Sequence, residues 1–175
     1  MKKLISVLSV LLLLSACGQN NIMKDYKDLK TTNHHFVSEE PKTVMDKLEN
    51  KEEGIYFVGY ANCAFCQDLV PVLEEVLEET DKTAIYLDVS KDSFKAITDR
   101  FVKFDNNLDK NLQSGGGVPF FIVIDKDQNI RTHVGTVDGY NPSAEEMSED
   151  QIEYIKIKLK QAIEGWCIIN LFLLS

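Results

Sequence analysis

Cys63-Ala64-Phe65-Cys66 carries the plainest chemistry in this 175-residue chain. Two thiols with two residues between them can close a disulfide with each other or exchange it with a thiol elsewhere. The thiolate is the nucleophile, so position decides reactivity. A helix N-terminus, with unpaired N–H groups and the positive end of the dipole, stabilises a sulfur anion. The flanking residues supply such a place. Ile55-Tyr56-Phe57-Val58-Gly59 reads as a buried strand, and Cys66, Leu69, Val70, Leu73, Val76 and Leu77 keep helical spacing to about Thr80. Cys63 then stands at the helix N-terminus as the attacking thiol. Cys66, one turn deeper, is placed to resolve a mixed disulfide.

The elements that hold this turn follow from the pattern on either side. His34 to Ser38 reads as a short edge strand. Pro41 to Glu53, with Val44, Met45 and Leu48 on one face, reads as a helix stopped near Gly54. Thr83 to Val89 is a second buried strand, and Phe94, Ile97, Phe101 and Val102 mark one helix. Asp105 to Gly117 is a polar loop ending in three glycines. Phe120 to Asp125 is a strand, Lys126-Asp127-Gln128-Asn129 a turn, and Ile130 to Thr136 its antiparallel return. Ser148 with Gln151 predicts a capping box for a last helix whose inner face is Ile152, Ile155, Leu159 and Ile163. The predicted order is βαβαβαββα, without an internal repeat.

The formal charge of −9 argues against nucleic acid and anionic lipid as electrostatic partners, and losing Lys2 and Lys3 on processing takes it to −11. Met1-Lys2-Lys3 followed by the apolar run Leu4 to Leu14 has the form of an export signal, too short for an ordinary membrane span. Leu14-Ser15-Ala16-Cys17 resembles a bacterial lipobox, which implies that Cys17 is lipidated and becomes the mature N-terminus. Export places the thiols where they can be oxidised. The domain plan is a signal over 1–16, a flexible polar tether over 17–33, a folded domain over 34–164 and an apolar tail over 165–175. That tail, too short to span a bilayer, is expected to pack on the domain, to insert shallowly into the membrane or to be a frameshifted or read-through end, the last being favoured. Cys167 is left without a partner, and no cysteine–histidine cluster suggests a metal. His34-His35 lacks partner ligands, and Gly115-Gly116-Gly117 lacks the lysine and helix of a phosphate loop.

Across roughly residues 35–164 the chain resembles the thioredoxin superfamily. The marks are the cysteine pair after a buried strand, Pro71 five residues beyond Cys66, Val118-Pro119 before a strand, and Gly135 on the return strand. The resemblance implies an α/β thioredoxin-like fold, a central mixed sheet flanked by helices. It implies a cis bond at Val118-Pro119, facing the cysteines, with Val118 offering its backbone to an extended substrate. Three departures stand out. Asn62 replaces the family's tryptophan, Ala64-Phe65 replaces Gly-Pro, and Phe57 and Tyr86 stand where the family has a buried aspartate and lysine. The usual proton acceptor for the inner cysteine is therefore missing. The stretch Tyr56 to Gln67 also looks like thioredoxin-like accessory proteins of Gram-positive bacteriocin clusters.

The expected function is a lipid-anchored, extracytoplasmic thiol–disulfide oxidoreductase. Cys63 is the nucleophile, Cys66 the resolving thiol, and Val118 and Pro119 the substrate platform. It needs no cofactor. Its expected partners are protein or peptide thiols and disulfides, secreted bacteriocin-like peptides among them, and a membrane or extracellular redox partner. The alternative is a non-catalytic binding lipoprotein on the same scaffold, which the missing carboxylate favours.

Overall fold

The structure, a computed structural model, describes residues 21–27, 29 and 33–165. The export signal, Cys17 and the apolar tail from 166 lie outside them. Five strands build one mixed sheet. They are β1 (Phe36–Ser38), β2 (Gly54–Gly59), β3 (Ala84–Asp88), β4 (Phe120–Ile124) and β5 (Ile130–Val134). Their spatial order is β1-β3-β2-β4-β5. β1 and β2 run parallel to β3, while β4 is antiparallel to both β2 and β5. This is the α/β arrangement expected, a central mixed sheet flanked by helices, with β1 on an edge.

The central strands bury both faces, and alternate side chains feed two cores. On one face Ile55, Phe57, Tyr86, Phe121 and Val123 meet α2 (Ala64–Thr80) and α5 (Glu149–Glu164). On the other, Tyr56, Val58, Phe120, Ile122 and Ile124 meet α1 (Pro41–Glu49), α3 (Asp92–Lys95) and α4 (Thr98–Asn107). Helices α2 and α5 are also joined by the ion pairs Glu75–Lys156 and Glu79–Lys160. The predicted capping box is present: Ser148 Oγ accepts from Gln151 N, and the Gln151 side chain accepts from Ser148 N.

Three expectations need correction. The tether predicted over 17–33 is not free of the domain in its described part, because Met23, Tyr26 and Leu29 are buried in the α2 face of the core. These apolar residues, three apart in an otherwise polar stretch, land on one side of the segment. The Tyr26 ring meets Tyr86 and Phe57 edge-on at 5.8 and 6.4 Å. The folded unit thus includes Met23, Tyr26 and Leu29, which precede the predicted boundary at 34.

The single helix predicted around Phe94–Val102 is two. α3 ends in a tight turn closed by Ile97 N donating to Phe94 O at 2.9 Å, and α4 begins after it. Phe94, Ile97 and Phe101 stay buried across the break, so apolar spacing does not betray it. Helix α1 stops at Glu49, short of Gly54, where Lys51 turns left-handed at φ 51° and Glu52 N returns to Lys47 O.

Candidate functional site: a thiol pair beside a cis-proline loop

Cys63 is the N-cap of α2. Its extended backbone (φ −87°, ψ 116°) aims the sulfur back over the first turn, where Cys66 N donates to Cys63 Sγ at 3.1 Å. A capping sulfur in that position receives the N–H groups that a helix start leaves unpaired. The Cys63 thiol in turn points at Val118 O, 3.8 Å away. Pro119 follows through a cis peptide bond, as expected. Cys63, Cys66, Val118 and Pro119 are thus gathered at one end of the sheet, and both cysteines are free thiols.

The two sulfurs differ in character. Cys63 retains 7% of its surface, whereas Cys66 retains none. The hydrogen bond from the Cys66 thiol is the main cause that lowers the Cys63 pKa to about 7. Burial opposes it, the N–H groups of Cys66 and Phe65 assist, and the nearby Asp68 carboxylate opposes it weakly. The same thiol–thiol contact, then burial, pushes Cys66 far up. Cys63 is therefore the half-ionised member near neutrality, and Cys66 holds its proton.

Gly59, at the end of β2, makes room for the inner sulfur. A Cβ there would fall 2.9 Å from the tip of Phe57 and 3.1 Å from Cys66 Sγ. The loop that carries the cis-proline is held by a carboxylate. Asp105, buried at the end of α4, accepts from Ser114 N (2.7 Å), Ser114 Oγ (2.9 Å) and Gly115 N (3.1 Å). Gly115 and Gly116 take left-handed φ values of 59° and 81°. The triple glycine that leads to the proline is thus pinned on one side. On the other side, Gly135, left-handed at φ 73°, donates its N–H to Pro119 O at 2.9 Å.

Gln67 ties the thiol loop to the N-terminal segment. Its amide donates to Ala61 O at 2.6 Å and to Asp25 O at 2.9 Å, and its oxygen accepts from Lys27 N at 2.9 Å. Asp68 beside it pairs with Lys27 at 2.8 Å and accepts from the Tyr140 hydroxyl at 2.7 Å. The half-exposed Phe65 lies edge-on to Tyr140 at 6.3 Å.

Phe57 and Tyr86 stack at 5.7 Å and an interplanar angle of 22°. Tyr26 completes the cluster, its hydroxyl 3.0 Å from that of Tyr86. The minor sequence candidates are held in structure: His34 bonds Asn21, His35 pairs with Glu74 at 2.8 Å, and His133 is half-buried on β5. No cluster of His, Cys, Asp or Glu able to hold a metal occurs among the described residues. No helix among them is long and apolar enough to cross a membrane.

The sequence reading found the cysteines and the proline loop but missed Gly59, Gln67, Asp105 and Tyr26. Only Tyr26 left a sequence signal, the Met23/Tyr26/Leu29 spacing; the others matter through contacts distant in sequence.

No family model and no curated protein matches the chain. Among solved structures, it is similar to thioredoxin O2 from Arabidopsis thaliana in the oxidized state, at 17% identity and a TM-score of 0.41, over 59% of this chain and 85% of that one.

Proposed function

We propose that this protein is a lipid-anchored, extracytoplasmic thiol–disulfide oxidoreductase in which Cys63 attacks and Cys66 resolves. One observation carries the reading. A sulfur of lowered pKa caps a helix at 3.1 Å from the inner cysteine's N–H, 3.8 Å from the carbonyl that precedes a cis-proline. A client disulfide approaching Cys63 lies beside Val118, whose backbone is the substrate platform. Exchange forms a Cys63–client disulfide and releases one client thiolate. Cys66 then attacks Cys63 Sγ, closes the internal disulfide and releases the second thiolate. Run backwards from the oxidised pair, the same steps introduce a disulfide into a client dithiol. A membrane or extracellular redox partner resets the pair. No cofactor enters either direction.

The test is to trap clients. Cys66→Ala leaves the mixed disulfide without its internal route of release, so reducible adducts should collect on that variant in membrane fractions and not on Cys63→Ala. Adducts mainly on Cys63→Ala would reverse the roles. The identities of trapped clients show whether secreted bacteriocin-like peptides are the substrates. Lipidation at Cys17 is tested separately: Cys17→Ala should free the protein from the membrane, and full retention of a cleaved variant there rules the anchor out.

The apolar Phe57–Tyr86 stack favours a second reading, a non-catalytic binding lipoprotein with an inert disulfide. A reduction potential of the pair separates the two. A strongly reducing value, below about −300 mV, fits a structural bond, and a higher one fits exchange.

A further inference from the structure

Resolution requires Cys66 to lose a proton, yet its sulfur is fully buried and its pKa is pushed up. The side chains around it narrow the possible exits. Cys66 Sγ sits over Gly59, which contributes no side chain. On the neighbouring strand the register pairs Gly59 with Asp88 and Phe57 with Tyr86. Asp88 and Tyr86 are two residues apart, so they share one face of β3, a single strand spacing of about 4.8 Å from the position beneath the sulfur. The N-terminal segment brings Tyr26 into the core cluster that holds Cys66 and places its hydroxyl 3.0 Å from that of Tyr86. Phe57, which also faces Cys66, cannot take a proton. Among the described residues, Cys63, Tyr26 and Tyr86 share the core cluster of Cys66, Tyr60 packs against it, and Asp88 lies beside Gly59 in the β3 register.

This hydroxyl pair leads outward. Tyr86, Leu87 and Asp88 line a cleft of about 340 Å³, roofed by Ile22 of the N-terminal segment and open to solvent. Asp88 is half-buried there and accepts from Ser90 N and Oγ at 2.9 and 2.6 Å, with Lys91 3.6 Å away. Glu39 and Glu40 face the same cleft. Burial keeps both tyrosines protonated, and each also responds to the Cys66 sulfur and to Asp88. Neutral hydroxyls in a row can each accept one proton and pass on another. Asp88 at the wet end is a carboxylate that can receive it.

We propose that Tyr26, Tyr86 and Asp88 form the route by which Cys66 gives up its proton, in place of a buried carboxylate beside the sulfur. The proposal rests on the exchange activity proposed above. In the step, the Cys66 sulfur bonds to Cys63 Sγ, the bond from Cys63 to the client breaks, and the client leaves as a thiolate with that electron pair. The Cys66 proton passes by way of a water to Tyr26, the Tyr26 proton to Tyr86, and the Tyr86 proton to Asp88, which releases it to solvent. No electrons enter or leave. The tyrosines are positioning residues for the transfer and do not react with the client.

The two thiols can be timed separately with dithionitrobenzoate, using the full chain in detergent with Cys17 and Cys167 changed to Ala. Attack by Cys63 releases one coloured thiolate, and resolution by Cys66 releases a second. Tyr26→Phe, Tyr86→Phe and Asp88→Asn should leave the first phase unchanged. Each should slow the second about tenfold or more, a part of the roughly 10²–10⁴-fold that positioned proton transfer contributes. In the variants the second phase should also rise more steeply with pH, because solvent hydroxide replaces the route. Tyr56→Phe, a buried tyrosine on the opposite core, should change neither phase. Asp88→Asn, at the rim of the cleft, carries the test if a tyrosine variant does not fold. A second phase with unaltered rate and pH profile in Asp88→Asn and in each tyrosine variant that folds overturns the route. A wild-type protein that shows no second phase overturns the exchange reading instead.

Discussion

Cys63 and Cys66 belong to one four-residue motif, yet their surroundings have little in common. Around Cys63 the neighbours are mainly backbone: the Cys66 N–H, the Val118 carbonyl and the loop held by Gln67. The Cys66 thiol and N–H favour an anion there, and a sliver of the sulfur's residue stays exposed. Around Cys66 stand the Cys63 thiol, the Phe57 ring and Gly59, in a core cluster shared with Tyr26 and Tyr86. That setting favours the neutral thiol. One helical turn therefore separates a setting that favours the thiolate from one that favours the thiol; the thiol–thiol contact within the motif is the main cause, and burial among residues outside it adds to the difference.

The widest expected gap between the two sulfurs is in alkylation. At pH 7 a thiol with a pKa of about 7 is half ionised. A buried thiol pushed above the ordinary value of about 8.5 is ionised by at most a few per cent, so Cys63 should react at least roughly twentyfold faster. Mass mapping of iodoacetamide adducts against pH reads both sites. Equal rates would erase the contrast.

Gly59→Ala attacks the inner site. The new Cβ must displace Phe57 or the Cys66 sulfur, and overpacking of this kind costs about 1–3 kcal/mol. Denaturant unfolding should show that loss, whereas Ala at exposed Glu78 should be near neutral. A stable Gly59→Ala with unchanged Cys66 reactivity would mean that the contact is slack.

The outer site leaves a mark on stability against pH. The folded-state pKa of Cys63 is depressed, so its contribution is full above the unfolded value of about 8.5 and is lost as pH falls through about 7. The reduced protein should thus gain about 1 kcal/mol from this group between those limits, after discounting for its partial access to water. Comparing the unfolding curves of reduced wild type and Cys63→Ala isolates it. Parallel curves across that window would remove the thiolate from the folded state.

The smallest effect is expected from Lys27→Met. Lys27 pairs with Asp68, whose charge works against the Cys63 anion. Removing the lysine should raise the apparent Cys63 pKa by a few tenths of a unit, since a largely exposed pair is worth well under 1 kcal/mol. Adding Asp68→Asn should reverse the shift. A lowering in Lys27→Met would contradict the assigned sign.

Much of this was readable from local pattern. The strand before Cys63, the helix after it, the capping box at Ser148 and the proline before β4 are each specified by neighbours within a few residues. The asymmetry of the thiols was half legible: the helix start showed for Cys63, and the missing aspartate showed as an absence at Phe57. What filled that absence was hidden, because Tyr26 reaches Tyr86 across 60 positions of sequence. Asp105 was hidden likewise. It reads as the first residue of a polar loop and proves to be the buried anchor of that loop, since a carboxylate's burial depends on N–H groups that arrive nine and ten residues later.

The seating of residues 21–29 on the domain has a consequence for reach. In the proposed lipid-anchored form, only residues 18–20 lie between the acylated Cys17 and the docked chain at Asn21. Four Cα steps extend to at most about 14 Å. A free 17-residue leash would have let the domain range widely above the bilayer, and this one moors it. The mooring point adjoins Gln67 and Ala61, beside the reactive turn. Clients would then meet Cys63 in the layer of water next to the headgroups, where a search is nearly two-dimensional. Peptides that adsorb to the membrane would be sampled far more often than those that diffuse freely past it.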